Sequence, residues 1–187
     1  MEKLQLGRVT AEQWPDMERF FESRGTLRGC WCMIFRAGVD GRVPPPSGPA
    51  RKRAMRDLVM AGTPVGLLAY TEGMPIAWCS VAPRATFPGL AVVGTKDEPI
   101  WSLTCFCVQR EYRGTGIQRK LLDAAIREAR AQGAKVLEAY PVLPDSPSYR
   151  FGGFVGSFER AGFREVGRLG SRRYVMRKTL WSRKVEK

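Results

Sequence analysis

Two glycines, one residue apart, lie between a strand-like and a helix-like segment, in the sequence Arg113-Gly-Thr-Gly-Ile-Gln118. Glycine allows backbone conformations and close approaches to a ligand that other residues do not. The first amides of the following helix have no acceptor inside the helix, and they carry partial positive charge. Such a helix start suits a pyrophosphate, with Arg113, Arg119 and Lys120 adding charge. The loop therefore predicts a nucleotide-type cofactor.

Two other phosphate-binding loops do not fit this sequence. A P-loop requires a Gly-Lys-Ser/Thr ending, and a dinucleotide fingerprint requires a third glycine where this chain has Arg119. An isolated Gly-x-Gly pattern is also compatible with an ordinary tight turn. The segments on either side of it are therefore needed to distinguish a phosphate-binding loop from such a turn.

Those neighbours change their hydrophobic period from two to 3.6 across the loop. Residues 101–108 are apolar, β-branched or aromatic and predict a central strand covered on both faces. Alternation would place Trp101, Leu103, Cys105 and Cys107 on one face of it. Apolar residues after Ile117 recur at helical spacing as far as Gly133. The order is strand, loop, helix.

The chain has no histidine, which excludes Ser-His and Cys-His nucleophile arrangements. Its five cysteines include two Cys-x-Cys pairs, which do not make the usual zinc spacings, so no metal is expected. The odd number of cysteines and the lack of a secretory signal favour free thiols that pack as small apolar residues.

The run from Val108 through Tyr112-Arg-Gly-Thr-Gly-Ile117, its helix, the next strand and Phe158-Glu-Arg-Ala-Gly-Phe163 resembles the GNAT superfamily of N-acetyltransferases. The resemblance covers residues 64–178. Arg113 and Gly116 match the family's Arg/Gln-x-x-Gly-x-Gly/Ala loop, and Gln118 occupies its final small-residue position.

The resemblance implies acetyl-CoA as cofactor and acetyl transfer to a primary amine of a small molecule or peptide, by direct attack. The loop amides would hold the CoA pyrophosphate, and the preceding strand would pair with the pantetheine arm and supply amides for the thioester oxygen. The implied cofactor-binding residues are Phe106, Cys107, Val108, Arg113, Gly114, Thr115, Gly116, Ile117, Gln118 and Arg119.

Glu138 is the candidate base that would take a proton from the amine, because it lies within an apolar strand and desolvation raises the pKa of carboxyl groups. Two alternatives stay open for it: an ion pair with one of the many arginines, or a solvated position at the end of the strand.

The acid that protonates the leaving thiolate is less defined. The family commonly has a tyrosine where this chain has Phe158, and an asparagine where it has Phe151. Tyr149 is the nearest phenol in sequence and is the candidate acid. The candidates ranked after Tyr149 are Cys105, Cys107, Tyr140 and Ser157, and solvent could also supply the proton.

The acceptor site is expected to take its walls from residues 30–35, which are strand-like or buried, from the proline-rich loop 37–50, and from residues 149–158. These segments have no cluster of carboxylates. A neutral or weakly charged amine is therefore favoured over a strongly cationic acceptor such as an aminoglycoside.

The net charge of +13 would attract the phosphates of CoA, and it also allows a polyanionic partner. Two alternatives to the enzyme are a basic RNA-binding or ribosome-associated module and a CoA-binding protein without transfer. We expect nucleic acid not to be the partner, no membrane association, a cytoplasmic location and a monomer or homodimer.

The whole chain, residues 1–187, is expected to form one domain with a basic tail at 179–187. The predicted fold is α/β of the α+β type, with a mixed, mostly antiparallel sheet flanked by helices. The predicted helices are at 11–24, 51–61, 117–132 and 155–161, and the predicted strands are at 64–71, 74–83, 101–108, 134–142, 163–166 and 173–176.

Overall fold

The structure is a computed structural model that describes residues 4–23, 29–38, 40–90 and 99–180. Its strands are β1 (Gln5–Arg8), β2 (Leu67–Thr71), β3 (Met74–Pro83), β4 (Ile100–Val108), β5 (Val136–Ala139), β6 (Arg164–Leu169) and β7 (Arg173–Thr179). Its helices are α1 (Trp14–Glu22), α2 (Gly48–Met60), α3 (Ile117–Ala131) and α4 (Val155–Arg160).

The seven strands form one sheet in the order β1-β2-β3-β4-β5-β7-β6. Neighbouring strands run antiparallel except β4 and β5, which are parallel and are connected through α3. The predicted mixed, mostly antiparallel sheet with flanking helices is confirmed.

The helix starts follow from local capping. A 3-10 turn at Ala11–Gln13 precedes α1, and the side-chain amide oxygen of Gln13 accepts a hydrogen bond from Thr10 N at 3.3 Å. Helix α2 begins at Gly48, earlier than predicted, because Ser47 Oγ accepts from Ala50 N at 3.3 Å and a proline in the first turn needs no acceptor.

The predicted hairpin of β2 and β3 is present, and its turn uses positive φ angles at Glu72 and Gly73, of 50° and 72°. The edge strand β1 was not predicted, and β5 is shorter than the apolar run around it indicated. A four-residue strand carries too few alternating residues to be recognised.

The predicted faces of β4 are wrong beyond Thr104. Ser80 pairs with Cys105 and Val81 with Leu103, so Thr104 is an extra residue, a β-bulge. The bulge reverses the alternation: Trp101, Leu103 and Phe106 pack towards α3, whereas Cys105 and Cys107 pack towards α1 and α2.

Residues 30–35 form buried turns rather than a strand. Trp31 and Cys32 both have left-handed backbones, with φ angles of 50° and 48°. The ring of Trp31 stacks on Trp14 with centroids 5.7 Å apart. Cys32 Sγ lies 3.0 Å from Cys105 Sγ, so these turns pack directly against β4.

Parts of two predictions lie outside the described residues: most of the basic tail, at 181–187, and residues 91–98 of the turn-rich segment before β4. None of the helices that the structure describes has the length and apolar character needed to cross a membrane.

Candidate cofactor cleft and active site

A gap opens in the sheet between β4 and β5. Their pairing covers Ile100 to Leu103 on β4 and ends at Ala139 on β5. The chain after β5 then turns away, and Val142 bridges to Phe154 instead. Within the described parts of the chain, the last part of β4 therefore has no neighbouring strand on its β5 side.

The backbone of β4 presents hydrogen-bonding groups to this gap. Gln109 N donates to Ile76 O at 3.0 Å, which directs the backbone of Gln109 towards β3. Because this direction alternates along an antiparallel strand, Cys107 also faces β3, whereas the N–H and C=O groups of Phe106 and Val108 face the gap.

The glycine loop closes one end of the gap. Gly114 and Gly116 have φ angles of 79° and 82°, and a Cβ at either position would meet no atom within 4 Å. The glycines are thus required by the backbone and border open space. Gly116 is the N-cap of α3 and provides no side-chain cap, so the first amides of the helix are available to a ligand.

Arg113 lies at the cleft and not in the core. Its Nε donates to Val108 O at 3.0 Å, which ties the guanidinium to the end of β4. The next polar residue of the loop, Thr115, donates from Oγ1 to Tyr112 O at 2.6 Å and so rigidifies the turn.

A cleft of about 710 Å³ connects these features. Seven of the predicted cofactor-binding residues line it: Phe106, Cys107, Val108, Arg113, Gly114, Gly116 and Gln118. The other three do not. Thr115 is turned to Tyr112, Ile117 packs in the core, and Arg119 donates to the Asp123 carboxylate at 3.1 Å. Arg119 does line a smaller adjoining recess of about 180 Å³.

Five further lining residues were not indicated by the sequence as cofactor ligands: Tyr112 beside the glycine loop, and Arg150, Phe151, Ser157 and Arg160, which come from the segment after β5 and form the opposite wall. Ser157 and Arg160 lie one turn apart on α4, so both can face the cleft. This spacing was visible in the sequence, but the packing of α4 beside α3 was not. Arg150 and Arg160 add two cations to the site.

Glu138 is fully buried in β5 and does not line the cleft. Arg177 Nε donates to its Oε2 at 2.6 Å, and Arg84 Nη1 lies 3.5 Å from the same oxygen. Tyr140 donates its hydroxyl to the other oxygen, Oε1. Of the alternatives that the sequence left open, this geometry favours the ion pair over the base.

The candidate acids lie at different depths. Tyr149 is half-buried behind the wall, with its ring 6.0 Å from that of Phe151. Ser157 and Cys107 are on the wall itself. Tyr140 is committed to Glu138, and burial raises the pKa of Tyr140.

Cys105 and Phe158 lie in the core. A hydrogen bond with Cys32, reinforced by burial, raises the pKa of Cys105 well above its ordinary value. Phe158 is fully buried against Phe106 and Phe163, so the family's tyrosine position carries no proton donor here.

The described part of the chain thus combines an open strand edge, a positive-φ glycine loop and an uncapped helix start around one basic cleft. The profile of the acetyltransferase (GNAT) family matches residues 15–153, and the chain belongs to this family. Such proteins act on amines with an acyl-CoA. A search of curated protein sequences finds no match.

Solved structures show the same fold at low identity. A histone acetyltransferase HPA2 and related acetyltransferase from Corynebacterium glutamicum is 20% identical, with a TM-score of 0.60, covering 98% of this chain and 100% of its own. A ribosomal-protein-alanine N-acetyltransferase from Brucella melitensis is 20% identical, with a TM-score of 0.56 and coverage of 94% and 99%. The PaiA N-acetyltransferase from Thermoplasma acidophilum, solved with coenzyme A, is 13% identical, with a TM-score of 0.52 and coverage of 95% and 99%.

Proposed function

We propose that the protein binds acetyl-CoA in the 710 Å³ cleft and transfers its acetyl group to a primary amine by direct attack. The observation that carries this proposal is the last part of β4, which among the described residues has no neighbouring strand on its β5 side and lies beside the glycine loop. It offers backbone donors to a thioester at one end of the cleft and helix amides to a diphosphate at the other.

The diphosphate is assigned to the loop end of the cleft. The amides of residues 114–118 and the guanidinium of Arg113 would hold it, with Arg150 and Arg160 contributing positive charge from the opposite wall. Gln118, at the final position of the loop, lines the cleft between this end and Phe106.

The thioester is assigned to the β4 end. The N–H of Phe106 or Val108 would donate to the carbonyl oxygen and stabilise the negative charge that develops on it as the amine attacks. In the attack a C–N bond forms and the C–S bond breaks. CoA leaves as a thiolate and takes a proton, while the nitrogen, which becomes positively charged in the attack, releases one proton as the amide forms.

We assign the donation of that proton to Tyr149. Its neighbours Arg150 and Phe151 line the cleft, and its ring contacts that of Phe151. The amine must lose its own proton before it attacks. Because Glu138 is held by two arginines and a tyrosine, we assign that proton to a water at the mouth of the cleft.

Two measurements test this function. Acetyl-CoA at about 100 times its dissociation constant should add about 2.7 kcal/mol to the free energy of unfolding, measured as a thermal shift. A panel of primary amines should then include some that cause release of free CoA. An RNA-binding module would show no thermal shift, whereas a CoA-binding protein without transfer would show the shift but no release of CoA.

A further inference from the structure

Arg173, the first residue of β7, carries hydrogen-bond donors that nothing in the described structure accepts. Its Nε and Nη1 are both buried and have no partner among the described residues. Its guanidinium carbon lies 4.5 Å from the centre of the Tyr149 ring and 5.2 Å from that of Phe35. Two aromatic rings therefore lie close to the cation, while two of its nitrogens have no acceptor among the described residues.

Such an arrangement is unfavourable in the free protein. Burial lowers the pKa of Arg173, because the charged form has lost part of its hydration. A buried donor without an acceptor costs free energy, and more so when it is charged. The cost is recovered when a ligand brings an acceptor, and a planar guanidinium matches a carboxylate in particular.

The position of Arg173 connects it to the proposed acceptor side of the cleft. The next residue, Tyr174, donates from N to Pro141 O at 2.9 Å, so β7 begins beside the chain that leaves β5 at the gap. The guanidinium contacts the Tyr149 ring, the Tyr149 ring contacts Phe151, and Phe151 lines the cleft.

The buried carboxylate of this region, Glu138, is already bound by Arg177 and Arg84, and the other described carboxylate nearby in the chain, Asp145, is exposed. The nearby cations are held by neutral oxygens. Arg150 Nη1 donates to Pro144 O at 2.6 Å, and Arg172 Nη1 donates to Ser148 Oγ at 3.1 Å. The local field therefore favours a ligand with negative charge.

Arg36 is a different case, although its Nε also has no described acceptor. It is fully buried, and its other nitrogens donate to Thr86 Oγ1 at 3.1 Å and Val65 O at 3.3 Å. Burial lowers its pKa to about 9. Arg173 differs because it is only partly buried as a whole residue, so part of its side chain is accessible to solvent.

We propose that Arg173 binds a carboxylate of the acceptor, so that the amine substrate belongs to the amino acids and related amino-carboxylates. The proposal rests on the proposed acetyl transfer and specifies its acceptor. The amine would lie at the thioester, and the carboxylate would accept hydrogen bonds from Nε and Nη1 of Arg173, beside the rings of Tyr149 and Phe35. Before its amine loses a proton, such an acceptor is electrically neutral overall, because its amino and carboxylate charges cancel.

The test uses matched acceptors, namely a series of amino acids with increasing separation of the two groups, each with its carboxamide. With acetyl-CoA and the full chain, we expect kcat/KM to favour at least one acid over its amide by about tenfold or more. In Arg173→Gln the ratio should fall towards one, mainly through KM. In the neighbouring Arg172→Gln the ratio should be preserved.

The outcomes distinguish the carboxylate site at Arg173 from the proposed acetyl transfer on which it rests. Equal turnover of acids and amides, or an unchanged ratio in Arg173→Gln, overturns the carboxylate site and leaves the transferase intact. Release of CoA by no amine at all overturns both. An acetyl-CoA thermal shift of normal size in Arg173→Gln shows that this variant is folded, so that its loss of preference is a binding effect.

Discussion

Gly116 and Gly133 lie at the two ends of α3 and have the same backbone conformation, with φ angles of 82° and 80°. At neither position would a methyl group meet an atom within 4 Å. Only Gly116 faces the cleft. The same substitution at the two positions therefore separates backbone strain from an effect on the cofactor.

We expect Gly116→Ala and Gly133→Ala each to lower the free energy of unfolding by about 1 kcal/mol, the usual cost of a left-handed alanine. Gly116→Ala alone should also weaken acetyl-CoA binding by about tenfold or more, as measured by calorimetry. Equal affinities in the two variants would contradict the placement of the diphosphate at this loop.

Glu138→Gln removes the negative charge that Arg177 and Arg84 share. Breaking a buried ion pair from one side typically costs about 3–5 kcal/mol, so we expect a large loss of stability in urea unfolding. As the matched control, Glu165→Gln removes an exposed partner of Arg168 and should cost less than about 1 kcal/mol. A stable Glu138→Gln with much lower kcat would instead identify Glu138 as the base.

Tyr149→Phe keeps the ring that contacts Phe151 and Arg173 and removes only the hydroxyl. If that hydroxyl protonates the leaving thiolate, kcat should fall about 10²-fold or more while the KM for acetyl-CoA changes little. Ser157→Ala, on the cleft wall, is the comparison. A fall of the same size in Ser157→Ala, with none in Tyr149→Phe, would move the donor to α4.

Among individual site residues, the sequence predicted those that lie close together in the chain. The glycine loop and the end of β4 are adjacent in the chain, and seven of their residues reach the cleft. Arg150, Ser157 and Arg160 come from a later segment, and their role depends on how α4 packs. The sequence left the role of Glu138 open, because its arginine partner lies on β7 and the sequence alone does not place β7 beside β5.

At the scale of elements, the direction of the β4 amides determines what the cleft can bind. Phe106 and Val108 face the gap, and Cys107 faces β3. The bulge at Thr104 sets this pattern, since without it the following residues would point the other way. Both faces of β4 are apolar, so the hydrophobic pattern carries no signal of the extra residue.

Amide hydrogen exchange checks this pattern. In the free protein we expect the amides of Phe106 and Val108 to exchange faster than that of Cys107, which is bonded within the sheet. Saturating acetyl-CoA should slow exchange at Phe106 and Val108, with little change at Cys107. Equal protection of all three amides in the free protein would show that the gap is closed.

At the scale of the whole molecule, a net charge of +13 gives affinity for any polyanion at low salt. Because this attraction comes from many dispersed cations, it depends steeply on salt. Binding in the cleft also uses backbone amides and a shaped cavity. The two modes should therefore respond differently to ionic strength.

Raising the salt from about 50 to 200 mM should weaken binding of a single-stranded RNA by about 10²-fold or more. Acetyl-CoA presents few phosphate groups and should lose less than about tenfold. Fluorescence anisotropy measures the first and calorimetry the second. RNA binding that persists at 200 mM salt would support the nucleic-acid alternative.

The overall architecture was predicted well because each element has its own period and its own breaks. The order of the strands is a different matter, because β7 lies between β5 and β6 through contacts distant in the chain. The gap follows from that order and from the short length of β5. The local sequence predicts neither the order nor the length.

The gap also divides the sheet into two antiparallel halves, β1 to β4 and β5 with β7 and β6, and in the described part of the chain these halves are joined by four parallel residue pairs. A cofactor that lies along β4 and reaches α4 would contact both halves and hold them together. The empty protein should then be the form that proteases degrade first, because a ligand that binds only the native state depletes the open one. Cellular levels of the protein would in that case rise and fall with the supply of acyl-CoA.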